Sequence, residues 1–254
     1  MDVNYWNNFA HEYDVMVTDA FTYERSNMIA AGIERFASPG LEVADFGCGP
    51  GKLLPWLAGK FQKVYGYDFS NKLLSIAKKR CKGLTNVVIK NADLSRSVDR
   101  LPMVDVVVSL NAALMPDTDL RLNFLRGMAS RIKTGGHLVM DVPSIESILY
   151  DAFRETEWAR RDGFPPRKAE KMVDVSCLTR PRLLAQGVLY RGGELTKHYL
   201  REELIVLVRD EMDLDLLDIL KVEYDWKTEM ENDHLPDWMG EPFPWDWLVI
   251  AKAR

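Results

Sequence analysis

Three glycines at alternating positions, Gly47, Gly49 and Gly51, follow an apolar run that carries one acid, Asp45, in the stretch VADFGCGPGKLL, residues 43–54. Glycine at such a spacing lets the backbone take positive φ and lets a ligand approach where a Cβ would stand in the way. The chemistry that suits this pattern is the holding of a nucleotide-type ligand on one tight turn between a strand and a helix. The dinucleotide fingerprint G-x-G-x-x-G would put its third glycine at position 52, where this chain has Lys52, so NAD is disfavoured. A further acid, Asp68, ends the run QKVYGYD 21 positions after Gly47. A carboxylate placed there can accept both ribose hydroxyls of an adenosine.

The elements that must position these groups alternate between strand and helix. After Asp68, Ser70 reads as a helix cap, with Leu73, Leu74 and Ala77 on one face and Lys78, Lys79 and Arg80 in the last turn, where they complement the helix dipole. VVIKNADL predicts a third strand running into Asp93 and Leu94, and VDVVVSL a fourth that ends at Asn111. The helix DLRLNFLRGMASRI stops at Gly135-Gly136, and GGHLVMDV follows as a fifth strand. His137 starts that strand, away from the ends where parallel sheets bind ligands, and reads as structural. Asp141, Pro143 and Ser144 fall at the ligand-binding end and are expected to shape a substrate pocket. REELIVLVRDEM predicts a helix, DLDLLDILKVEY a sixth strand and PWDWLVIAKAR a last one. WKTEMENDHLPDWMGEPFP, between them, is too rich in proline and acid for regular structure and is expected to hang near one edge of the sheet.

The acid before the glycine turn, the acid after the second strand, and Asp93 after the third resemble the motifs of the class I S-adenosylmethionine (SAM) dependent methyltransferases. The resemblance covers about residues 1–145 and resumes at the C-terminus. It implies an α/β fold, a seven-stranded, mostly parallel, doubly wound sheet with an antiparallel last strand, in a single domain of residues 1–254. It also implies SAM as cofactor and S-adenosyl-L-homocysteine as product. Gly47, Cys48, Gly49 and Gly51 would admit its amino-acid part, Asp68 the ribose, and Phe69, Asp93 and Leu94 the adenine. Asn111 would stand where cofactor and acceptor meet. Arg25 is a candidate for the methionine carboxylate through a bidentate guanidinium pair, or else a simply exposed arginine. Tyr5, Trp6, Phe9 and Tyr13 have helix-like spacing, and Phe9, Ala10, Tyr13 and Asp14 resemble the FA-x-x-YD lid of small-molecule methyltransferases. Residues 1–37 are therefore expected to form lid helices, with Tyr13 a site contact, although aromatic stripes also serve as core.

About 55 residues intervene after the fifth strand, in which SIESILYDAFRETEWARR reads as a helix, GFPPRK as a break, and two extended runs flank Gly192-Gly193 as a hairpin. This insertion, residues 145–200, resembles the substrate cap of small-molecule methyltransferases, and it offers Arg180, Arg182, Tyr190, His198 and Tyr199. His198 reads either as a general base or as a hydrogen bond tying cap to core. With Tyr13 it completes the catalytic candidates.

The chain has 254 residues and a net charge of −5, which argues against a large nucleic-acid footprint. Cys48, Cys81 and Cys177 form no C-x-x-C pair, which suits a reducing cytoplasm without disulfides or zinc. No basic leader or membrane-length apolar run is apparent, so a cytoplasmic protein without a membrane contact is expected, as monomer or homodimer. Between residues 210 and 241 twelve acids face only Lys221 and Lys227. That stretch is either a solvated surface or a wall that steers a cationic substrate such as an amine. SLNAAL stands where methyltransferases of DNA bases or protein glutamine carry N-P-P-Y or D-P-P-Y. The leading expectation is therefore methyl transfer to an oxygen or nitrogen of a small-molecule acceptor. The alternatives are a methyltransferase acting on RNA or protein, for which eight Arg or Lys against five acids between 154 and 182 leave room, and a non-catalytic SAM-binding partner subunit.

Overall fold

A computed structural model describes residues 5–7, 10, 13, 19–173, 180–191, 194–230 and 234–254. Phe9, Asp14, Cys177 and the Gly192-Gly193 turn lie outside the described residues.

The short helices α1 (Ala20–Tyr23) and α2 (Met28–Glu34) lead into β1 (Glu42–Phe46), α3 (Leu54–Ala58), β2 (Lys63–Asp68), α4 (Asn71–Arg80), β3 (Val87–Asn91) and β4 (Val104–Leu110). There follow α5 (Thr118–Ser130), β5 (Ile132–Pro143), α6 (Ile145–Arg161), α7 (Pro166–Met172), α8 (Pro181–Leu184) and the hairpin β6 (Val188–Arg191) and β7 (Glu194–Lys197). The chain closes with α9 (Arg201–Val206), a π-helical turn at Leu207–Glu211, β8 (Leu214–Glu223), α10 (Trp226–Met230) and β9 (Trp245–Ala253). Seven strands form one sheet in the order β3-β2-β1-β4-β5-β9-β8, with β9 antiparallel to both neighbours. This is the expected sheet, with the reversed strand inserted one place from the edge.

The central strands are buried on both faces, which is why β1 and β4 read as continuous apolar runs rather than alternating ones. One face, with Phe46, Val107 and Leu138, packs on α5, through Phe124 and Leu125, and on α9, through Leu204. The other, with Val43, Val108, Val139 and Ile250, packs on α2, α3 and α4. Side-chain caps fix where helices begin: Ser70 accepts from the Leu73 N–H at 3.2 Å, Asp117 from Leu120 at 2.9 Å and Ser144 from Ser147 at 3.1 Å. Each such cap contributes about 1 kcal/mol.

The acidic, proline-rich segment differs from expectation. Trp226 begins a helix there, buries its ring and, with Met239 and Phe243, forms a third cluster against Tyr150 and Trp158 of α6. Its indole N–H donates to the Gly240 carbonyl at 3.0 Å. Burial of the aromatic residues outweighs the local charge and proline content, so the segment is docked onto α6 rather than hanging from the sheet. Among the described residues no helix is long and apolar enough to cross a membrane.

Candidate active site

The carboxyl ends of β1, β2 and β4 meet at the glycine turn. Phe46 pairs with Tyr67 in register, and the Gly47 and Cys48 N–H groups both donate to the Tyr67 carbonyl, at 2.8 and 2.9 Å. Gly47 has φ +84°, and a Cβ there would overlap the methyl of Ala112 in the loop after β4. Gly49 has φ +51°, and a Cβ would stand 3.3 Å from the Tyr13 hydroxyl, in the space between the turn and the N-terminal segment. Gly51 does not face the cleft. A Cβ on it would lie 2.8 Å from that of Ala77, so its role is close packing of the turn on α4, a correction to its placement among the ligand contacts.

Asp68 is 6% exposed and accepts from the Gly49 N–H at 3.0 Å and the Ser70 N–H at 2.8 Å. Burial raises its pKa to about 6 against the pull of those N–H groups. Asp45, 3% exposed, is raised to about 7, first by burial and then by Asp68. Burial, Asp68, Asp19 and Asp45 together push the Tyr13 phenol upward, so it stays a neutral hydroxyl at any working pH.

Two cavities open on either side of this turn. The first, about 330 Å³, is lined by Asp68, Phe69, Leu73, Asp93, Leu94 and Phe124. Asp93 is fixed locally, accepting from the Ser95 hydroxyl at 2.7 Å and pairing with Arg96 at 2.8 Å. The second, about 360 Å³, has Asp45, Cys48 and Lys52 on one side and Thr196, His198, Tyr224, Glu229 and Asp246 among its other walls. Trp6, Tyr13, Gly47 and Asn111 line both, so the cavities meet at the mouth of the turn. Asn111 has φ +48°, a conformation asparagine tolerates better than most residues, and its amide donates to Asp246 at 3.4 Å.

The structure thus gathers Tyr13, Gly47, Cys48, Gly49, Asp68, Phe69, Asp93, Leu94, Asn111 and His198 around two adjoining cavities, and it leaves Arg25 out. The Arg25 guanidinium pairs with Asp225 and stacks 3.7 Å above the Phe243 ring, outside both cavities. An exposed carboxylate and a buried ring close by in space hold it, so no ligand carboxylate is needed to explain it.

His198 reaches the second cavity because β7 returns across the sheet end. The Lys197 N–H donates to the Leu114 carbonyl at 2.9 Å and the Tyr199 N–H to that of Pro143 at 2.8 Å. The His198 Nδ1 lies 3.3 Å from the Thr196 carbonyl oxygen. Tyr199 is wholly buried and its hydroxyl donates to the Ala113 carbonyl at 2.6 Å, a structural tie. Arg180, Arg182 and Tyr190 line neither cavity. His137 stacks on Phe36 at 3.8 Å, as its position at the start of β5 implies.

Tyr224, Glu229 and Asp246 are among the cavity residues that escaped the sequence reading. Only Asp246 carries a signal, as a lone acid between Trp245 and Trp247 in an otherwise apolar strand. Its Oδ2 accepts from the Tyr224 hydroxyl at 2.9 Å.

A reversed strand beside the edge of a doubly wound sheet, with a glycine turn and an acid-tipped second strand at its ligand-binding end, defines the Rossmann-like fold of class I SAM-dependent methyltransferases. Residues 43–136 match the family model described as a methyltransferase domain. The likeness of the whole chain to that class is one of fold. No curated protein matches it. Among solved structures, it is similar to a SAM-dependent methyltransferase from Methanosarcina mazei (18% identity, 87% of this chain and 96% of that one, TM-score 0.61). It is also similar to the N-methyltransferase NodS of Bradyrhizobium japonicum in complex with S-adenosyl-L-homocysteine (11%, 97% and 98%, TM-score 0.58). A third is the complex between the Haloferax volcanii Trm112 methyltransferase activator and a methyltransferase (15%, 98% and 97%, TM-score 0.62).

Proposed function

We propose that the protein is a methyltransferase that moves a methyl group from SAM to an oxygen or nitrogen of a small-molecule acceptor. The observation that carries this reading is the junction of two cavities at one glycine turn, one suited to a nucleoside and one to a second reactant.

The residues of the first cavity fit the donor. Asp68 offers a buried carboxylate for ribose hydroxyls, Phe69, Leu73, Leu94 and Phe124 an apolar site for adenine, and Asp93 an acceptor for its exocyclic amine. Gly49 leaves room where a Cβ would crowd the junction, and Asp45 faces the amino-acid end. Held there, SAM would supply a methyl carbon on a sulfonium as the electrophile for an acceptor lone pair. The protein's part is positioning, which alone can contribute roughly 7–11 kcal/mol. Trp6 and Tyr13 flank the junction and exclude water from it. Asn111 and Asp246 orient the acceptor, and His198 stands within the same cavity as a candidate base. Residues 145–200 serve as its cap, and residues 1–37 as its lid.

The test is incorporation of methyl-labelled SAM into a cell extract separated by size. Label among metabolites is expected. Label in RNA or protein would replace this reading with a macromolecular acceptor, and the likeness to a methyltransferase in complex with Trm112 would then make an activator partner the next thing to test.

A further inference from the structure

The second cavity is negatively charged in a way that cofactor binding alone does not use. Besides Asp45, which faces the cofactor's amino-acid end, Asp19, Glu229 and Asp246 line it, with Lys52 the one Lys or Arg among the lining residues, 3.8 Å from Asp19. Directly behind Asp246, on the same face of the sheet, lies Asp141 of β5, at 0% exposure. Neither of its carboxylate oxygens has a hydrogen-bond partner among the described residues. Glu24 adds a third carboxylate to the group. It hydrogen-bonds the Ile29 N–H at 2.8 Å and pushes Asp141 upward together with burial and Asp246. A buried, unpartnered acid costs several kcal/mol unless it is protonated or meets a cation. No group of three or more acid, histidine or cysteine side chains among the described residues is arranged to hold a metal ion. Asp141 lines neither cavity and burial keeps it protonated; the carboxylates that do line the second cavity, Asp19, Glu229 and Asp246, suit an organic cation. Trp6, Tyr13 and Phe21 give the cavity the aromatic walls that ammonium groups favour.

We propose that the acceptor is an amine that enters this cavity as its ammonium ion, and that Asp246, held between Tyr224 and Asn111, is the carboxylate that receives it. The inference rests on the methyltransferase reading above and names its substrate class. Before methylation the nitrogen must lose a proton: an N–H bond breaks, an O–H bond forms on Asp246, and the freed lone pair becomes the nucleophile. Asp246 suits this exchange because burial raises its pKa to about 6 while the Tyr224 hydroxyl and Asn111 amide hold it down. The groups facing it are Asp141 from β5, Tyr224 after β8, Glu229 from α10, Asn111 after β4 and, through Asp141, Glu24 after α1. Among the described residues these ionisable neighbours are acids or a phenol, and Glu229 with Asp246 presents the charge that favours a cation.

The experiment uses the full chain saturated with S-adenosyl-L-homocysteine and two amine–alcohol pairs as probes, phenethylamine with phenethyl alcohol and cadaverine with 1,5-pentanediol, measured by calorimetry. In parallel, labelled products from the small-molecule fraction of a cell extract are passed over a cation exchanger at pH 5. The proposal expects each amine to bind at least tenfold more tightly than its alcohol, and Asp246→Asn to erase that preference. Tyr224→Phe, milder for folding, should weaken it several-fold, and labelled product should be retained on the exchanger. Equal binding within the pairs, or label only in the neutral and acidic flow-through, overturns the amine assignment and leaves the methyltransferase reading standing. Failure of S-adenosyl-L-homocysteine itself to bind overturns both.

Discussion

Gly47→Ala probes the turn on which both cavities depend. The residue has φ +84°, where an L side chain costs about 1–2 kcal/mol, and its new methyl would overlap that of Ala112. Overpacking of this kind costs about 1–3 kcal/mol, giving a total near 3 kcal/mol. For a chain of this size that lowers Tm by roughly 10 °C. Ala112→Gly in the same chain removes the methyl that is struck but not the backbone strain. The double variant should therefore recover only the overpacking part. A double-mutant cycle in urea should give a coupling of about 1–3 kcal/mol between positions 47 and 112. Strict additivity would refute the reasoning, because it would mean that the loop after β4 does not close over the turn as described.

Other outcomes follow from the buried polar groups. The folded pKa values of Asp45, about 7, and Asp68, about 6, lie above the ordinary carboxylate value, so the native state binds more protons than the unfolded chain between about pH 4 and 7. Stability of the free protein should therefore fall as pH rises through that window, by about 1 kcal/mol per pH unit for each group, and Asp45→Asn should flatten the Tm-against-pH profile. Tyr199→Phe removes the donor to the Ala113 carbonyl and should cost about 1–3 kcal/mol in urea denaturation with little change in donor affinity. Trp226→Ala empties the third cluster and should cost about 3–5 kcal/mol, with limited proteolysis appearing first between residues 226 and 245.

What the sequence made legible was local. The glycine turn, Asp68 at a strand tip and the Ser70 and Ser144 caps depend on neighbours a few residues away, so spacing alone identified them. Phe69, Asp93 and Leu94 were named by the resemblance to the methyltransferase family, and they line the first cavity. Arg25 could not be read this way, because Asp225 and Phe243, which hold it, are about 200 residues distant and meet it only when β8 and β9 are in place. Gly51 looked like its two companions in the turn, and only the approach of Ala77 on α4 separates packing from ligand contact. Trp226 was masked by the acids around it, since propensity does not register a helix stabilised by burial against α6. Asp246 becomes meaningful once strand pairing sets it beside Asp141 and Tyr224.

The measurement that bears most directly on the central claim is calorimetric titration of SAM into the wild-type protein and Asp68→Ala. Removing the carboxylate deletes two charge-assisted acceptors for ribose hydroxyls, each about 1.5–3 kcal/mol. The account predicts one site per chain in the wild type and at least a hundredfold weaker binding in the variant, with circular dichroism unchanged. Equal affinity in the two proteins would contradict the placement of the nucleoside at Asp68 and, with it, the assignment of the first cavity.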